Sequence, residues 1–176
     1  MKLSDNNLNI FNNNFYIIKN FLSKDTIKNL LKDINFEIKT NFYPYVPKYQ
    51  TYPYLFEKYK EKKHWENYFY KLNNLINDFK KPNKLEKCWA NVVKSKSNYG
   101  LHVHDTDIST VFYVKNLYKE FGTYFNINNK EFIIPGEENS LLIFNGKLPH
   151  STTMPPEIIC KKNPRYTLVT DYKFLI

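Results

Sequence analysis

Residues 100–115 read Gly-Leu-His-Val-His-Asp-Thr-Asp-Ile-Ser-Thr-Val-Phe-Tyr-Val-Lys. The first part alternates, with His102 and His104 flanking Val103. Side chains on a strand point to opposite faces in turn, so residues 102 and 104 share one face. The second part, from Ile108 onward, is dense in β-branched and aromatic residues and reads as a strand of its own.

Working outward, this period persists downstream of Trp89. Short β-type runs recur at 88–94, 100–104, 108–115, 121–126, 131–134, 140–145, 150–154 and 165–174, with turn signals such as Asn128-Asn129 and Pro135-Gly136 between them. Upstream the period is helical. Ser23 is placed to cap a helix over 24–35, with Asp25 near its positive end and Ile27, Leu30, Leu31 and Ile34 at helical spacing. A second amphipathic helix is expected over 57–80, with Trp65, Phe69, Leu72, Leu75, Ile76 and Phe79 on its apolar side and Pro82 ending it. Residues 15–22 read as a strand or a buried lead-in. Residues 40–56, rich in proline and aromatics, read as a long surface loop, either a lid or packing for the barrel edge. The fold class is therefore mainly β with N-terminal helices (α+β), a sandwich or jelly-roll barrel backed by two or more helices. Residues 1–176 are expected to form one domain, 1–84 as helical support and 85–176 as the β core.

Bulk composition excludes some partners and leaves others open. The chain has 26 Lys and Arg against 17 Asp and Glu, a net charge of +9. That suits an acidic partner, but no dense basic block lies beside the histidines. Nucleic acid is therefore the less favoured partner, and the charge follows from Lys-rich composition throughout. No run approaches the ~20 apolar residues of a membrane helix. Cys88 and Cys160 form no CxxC pair and the N-terminus has no signal-like apolar run, so a cytoplasmic protein with reduced thiols is expected.

Three of the four histidines carry the chemistry. His150 follows the apolar run Leu141–Phe144 and a turn ending in Pro149, which sets it at a barrel mouth. A close pair of imidazoles, a distant third and the strand-borne Arg165 suit a metal with open positions beside an anion clasp. His64, in a Lys- and Glu-rich helix, is expected to face solvent. Trp89, Phe112 and Phe144 are expected in the core.

At these residues the chain resembles the Fe(II)/2-oxoglutarate-dependent oxygenases, in particular small phage and marine-bacterial members. The resemblance rests on Trp89-Ala90-Asn91, Gly100-Leu101-His102-Val103-His104 and Ile108–Val114, then on Ser140–Phe144, Pro149-His150 and Arg165-Tyr166-Thr167. It covers roughly residues 85–174 and implies a double-stranded β-helix, a cupin-like barrel. It further implies that His102 and His150 bind iron and that His104 stands where most members have the Asp of H-x-D. Arg165 would hold the distal carboxylate of 2-oxoglutarate with help from Thr167. Asn91 and Tyr113 are assigned to the same cosubstrate, with Tyr99 and Tyr124 as other pocket tyrosines. The third ligand is read as His104 from strand parity, and Asp107 or Asp105 stays open as a carboxylate alternative.

The activity this implies is hydroxylation of a C–H bond with O₂ and 2-oxoglutarate. The substrate is expected to be a small molecule or a peptide, with amino-acid or protein side chains favoured. The alternatives are a nucleobase-directed oxygenase and a cupin-like metal- or ligand-binding protein without turnover.

Overall fold

The computed structural model describes residues 8–11, 15–40, 50–79, 81–93, 100–153 and 162–175. Tyr99, Cys160 and positions 41–49 of the aromatic loop lie outside them. In chain order the elements are β1 (Leu8–Phe11), β2 (Phe15–Ile18), α1 (Lys24–Thr40), α2 (Leu55–Tyr59), α3 (Lys63–Asn77), β3 (Asn83–Val93), β4 (Ile108–Lys115), β5 (Thr123–Ile127), β6 (Lys130–Ile134), β7 (Ser140–Phe144), β8 (His150–Thr152) and β9 (Arg165–Phe174).

The strands form a six-stranded sheet, ordered β1-β2-β7-β4-β9-β3, and a three-stranded sheet, β6-β5-β8. Every named pairing is antiparallel. This is a mainly β fold of the double-stranded β-helix type, as expected. It is built from two separate sheets rather than a closed barrel.

Burial follows strand parity on the large sheet. Phe112, Val114, Leu141, Ile143, Leu168 and Tyr172 face the helices and join Leu30, Ile34, Trp65, Tyr68, Leu72 and Ile76 in one core. Val111, Tyr113, Leu142, Phe144 and Val169 face the other way and meet Phe15, Phe125 and Ile134 in a second. The central strands are thus buried on both faces, which explains the near-continuous apolar run of residues 108–115 and 140–144.

The helices form where sequence chemistry directs them. Ser23 caps α1, its Oγ accepting from the Thr26 amide at 3.3 Å while its carbonyl accepts from Ile27 N at 3.1 Å. On α3, Trp65, Tyr68, Phe69, Leu72 and Ile76 are buried at helical spacing, each fully buried side chain of this size contributing roughly 1.5–3 kcal/mol. Asn128 and Asn129, at φ 50° and 61°, close the β5–β6 hairpin in the left-handed conformation that Asn tolerates. No helix among the described residues is long and apolar enough to cross a membrane.

Three expectations need correction. The helix expected over 57–80 is two helices, broken at residues 60–62, where the chain turns so that Lys62 reaches Asp33 on α1 at 2.9 Å. Residues 100–104 form no strand, and only a bridge at His102 pairs with His150. His64 does not simply face solvent: its Nε2 lies 2.7 Å from Asp33 Oδ2, with the side chain 20% exposed.

Candidate metal centre

Between the two sheets lies a cavity of about 390 Å³. Its large-sheet wall is a grid of odd-numbered residues fixed by register. Asn91 and Tyr113 both pair with Thr167, and Trp89 and Val111 both pair with Val169. All of these line the cavity, together with Arg165 and Asp171 of β9. The facing sheet contributes His150 and Thr152, and the segment before β4 contributes His102 and His104.

The three imidazoles meet at one end. Their candidate ligand atoms lie within 4.8 Å of one another, close enough for one metal ion to draw on all three. The 102–104 segment holds its two rings on one side without being a regular strand. His102 exchanges both backbone hydrogen bonds with His150, and His104 N donates to Gly146 O at 2.8 Å.

Each Nδ1 has a hydrogen-bond partner, and those partners fix the tautomers. His102 Nδ1 donates to Gly100 O at 2.8 Å and His150 Nδ1 to Leu148 O at 2.7 Å. His104 Nδ1 donates to Asp171 Oδ1 at 2.9 Å and has Ser109 Oγ at the same distance. Nε2 is left as the available lone pair on all three, and an oriented imidazole whose other nitrogen is hydrogen-bonded is the form metals bind.

His150 is the deepest of the three, 4% exposed, its ring edge-on to Phe144 with centroids 4.8 Å apart. Burial pushes its pKa down to about 4, and neighbouring His104 and His102 add to the effect against the opposing Leu148 carbonyl. The ring is neutral at neutral pH, as a ligand must be.

The carboxylates at 105 and 107 are turned elsewhere. Asp105 is almost fully exposed and bonds Lys173 at 3.2 Å. Asp107 accepts from the Phe174 amide at 2.8 Å, fastening the end of β9. The structure brings His102, His104 and His150 together and neither Asp with them.

The other end of the cavity is polar and cationic. Arg165 is 3% exposed, and its Nη1 donates to Phe121 O and Thr153 O, both at 2.9 Å. These bonds hold the guanidinium in place between the sheets. Beside it, the Tyr113 hydroxyl lies 2.6 Å from Thr123 Oγ1, and burial raises its pKa, so it stays protonated. Asn91 Oδ1 is a buried acceptor without a hydrogen-bond partner among the described residues, and only a donor such as water, not a carboxylate, can satisfy it. The donor set fits an anionic oxo-acid: a fixed cation, a hydroxyl of Thr167 and an amide whose other end is a donor.

Trp89, expected in the core, packs against the second core and also lines the cavity, its ring 5.5 Å from that of His104. Phe112 and Phe144 are core residues, as expected. Tyr124 does not reach the cavity lining. Sequence reasoning missed Asp171, although a signal existed: it is a lone acid within the β-type run 165–174, in phase with Arg165 and Thr167.

No family model matches this sequence and no curated protein matches it. The fold has clear relatives among solved structures. HygX from Streptomyces hygroscopicus, solved with nickel, 2-oxoglutarate and hygromycin B bound, superposes with a TM-score of 0.68 at 10% identity, covering 91% of this chain and 82% of that one. A Pseudomonas putida prolyl-4-hydroxylase gives 0.67 at 15% identity over 91% and 92%. A Trichoplax adhaerens prolyl hydroxylase, in complex with a hypoxia inducible factor peptide fragment, gives 0.64 at 15% identity over 92% and 84%. The chain therefore has the double-stranded β-helix fold of the Fe(II)/2-oxoglutarate oxygenases.

Proposed function

We propose that this protein is a non-heme Fe(II)/2-oxoglutarate-dependent dioxygenase that hydroxylates a C–H bond. One observation carries the reading: three imidazoles with Nε2 free and a fixed Arg165 guanidinium line the same cavity on the fold of that superfamily. His102, His104 and His150 would hold Fe(II). Arg165, with Thr167, Tyr113 and Asn91, would take the 2-oxoglutarate carboxylate. Bound Fe(II), with 2-oxoglutarate and O₂, supplies an oxidant strong enough to break an unreactive C–H bond.

The chain's own residues do the positioning. His102, His104 and His150 would supply three ligands to the ion and leave further coordination positions for molecules bound in the cavity. Arg165 orients a dianionic cosubstrate from the opposite end, so the reacting groups meet with their rotational entropy already spent. Val111, Val169 and Trp89 line the space between with apolar surface that limits water. Tyr113 contributes a hydroxyl donor that burial keeps protonated.

The favoured substrate is an amino-acid or peptide side chain, a reading supported by the prolyl hydroxylases among the structural relatives. Residues 1–176 are taken as one oxygenase domain, working in the cytoplasm.

Anaerobic titration with Fe(II) and 2-oxoglutarate tests the proposal. A visible charge-transfer band that appears only with both present is the expected result. Iron binding with no band, and no decarboxylation in air, would instead make this a metal-binding barrel without turnover.

A further inference from the structure

A set of three neutral histidines lacks the anionic ligand that H-x-D sites have. The structure supplies a carboxylate one residue further out. Asp171, on β9, is 2% exposed and lines the cavity. Its Oδ1 accepts from His104 Nδ1 at 2.9 Å and from the Ser109 hydroxyl at 2.6 Å. His104 is its one ion-pair partner among the described residues. Lys87, its cross-strand neighbour in the β3–β9 register, also lines the cavity but is exposed and forms no ion pair with it among the described residues. A buried carboxylate that answers only to an imidazole and a hydroxyl is costly unless positive charge lies close by. The place where that charge would sit is the far nitrogen of the same imidazole.

We infer that Asp171 is a positioning residue for the metal and replaces, through His104, the carboxylate that 104 does not provide. This rests on the reading of the histidines as metal ligands. The Asp171–His104 bond fixes the ring so that Nε2 faces the ion, and the carboxylate makes that nitrogen a stronger donor. The net charge of the centre is then the same as with a direct Asp ligand, but the negative charge lies one imidazole away. Ser109 holds the carboxylate in register, since Ser109 and Asp171 face each other across β4 and β9.

Metal affinity and the visible spectrum of the Co(II) form are the readouts, measured with the metal alone. Asp171→Asn keeps the shape and removes the charge, and should weaken Co(II) or Fe(II) binding about 10- to 100-fold and shift the Co(II) bands. His104→Asp alone sets two carboxylates side by side and should bind metal poorly. The double variant His104→Asp/Asp171→Asn restores one carboxylate, now directly on the ion, and should recover affinity lost by both single variants. A purely structural Asp171 would show no such recovery. Unchanged affinity and spectrum in a folded Asp171→Asn, or no recovery in a folded double variant, overturns the inference. If the unsubstituted protein binds no metal, the ligand reading itself fails, which is a separate result.

Discussion

His102 and His150 exchange both backbone hydrogen bonds, each amide reaching the other's carbonyl at 2.9 Å. This two-residue bridge joins the segment before β4 to the first residue of β8. It sets the two ring centroids 4.5 Å apart. The backbone pairing thus places two side chains that lie far apart in sequence.

From that arrangement, His102→Ala and His150→Ala should each remove one of three imidazoles while leaving the bridge intact, since it uses backbone atoms only. Iron content after reconstitution should fall at least tenfold in each, with circular dichroism unchanged. Near-normal iron in both variants would remove the basis for the metal centre.

The structural role of Arg165 and the cosubstrate-binding role proposed for it can be separated by a pair of variants. Its Nη1 bonds to Phe121 O and Thr153 O join β9 to loops of the facing sheet. Arg165→Ala should therefore lower stability by about 1.5–3 kcal/mol as well as weaken 2-oxoglutarate binding. Arg165→Lys keeps the charge but loses the planar fork, and should recover only part of the affinity. Calorimetric titration of the Fe(II) form under anaerobic conditions measures this, with iron affinity little changed in either variant.

Asp105 and Asp107 should prove dispensable for the metal. Asp105→Ala should alter neither iron content nor stability, because its carboxylate is solvated and an exposed ion pair contributes little. Asp107→Ala should cost about 1 kcal/mol, the usual worth of a bond such as the one to the Phe174 amide, and still bind iron. Loss of iron in Asp107→Ala would return a carboxylate to the ligand set.

Much of this was legible in sequence because it depends on local periodicity. Runs of β-branched and aromatic residues between turn signals marked most of the strands, and His102, His104 and His150 marked the end of the cavity where three imidazoles meet. What was hidden depends on contacts between distant segments. The break at 60–62 serves an attachment to Asp33 on another helix, and a helical period in 57–80 does not reveal it. Trp89 reads as core because an apolar ring on a strand looks the same whether it faces a core or a cavity. Asp171 meets His104 only through the β4–β9 pairing, so its parity with Arg165 was visible but its partner was not.

Asp33 should make stability depend on pH. Burial alone would raise its pKa, but hydrogen bonds from Lys62, His64 and Trp65 outweigh that and lower it below the ordinary value of 3.8. A depressed folded-state pKa means the carboxylate stabilises the fold fully above the unfolded value. That contribution is lost as pH falls through 3.8 toward the folded pKa. Thermal unfolding of the native protein and of Asp33→Asn should differ at pH 7 and draw together as the pH falls below 3.8 and through the folded-state pKa. A gap that persists in acid would assign the effect to shape rather than charge.

Gly146 offers a way to disturb the centre without touching a histidine. A Cβ added there would lie 2.7 Å from the Thr106 carbonyl and 2.9 Å from Ser109 Oγ. Rotating a hydroxyl relieves the second contact but not the first, so the backbone must move. The carbonyl of Gly146 accepts the His104 amide at 2.8 Å, and Ser109 donates to Asp171. Gly146→Ala should therefore displace His104 and its carboxylate partner together. The expected outcome is a loss of several-fold in Co(II) affinity, with a melting temperature lowered by a few degrees, as about 1 kcal/mol does in a chain of this length. Gly136→Ala is the control: its Cβ would run into the Tyr113 ring, at the other end of the cavity. It should impair 2-oxoglutarate binding more than metal binding. Equal effects of the two variants on the metal would show general loosening of the fold rather than two separable ends of one cavity.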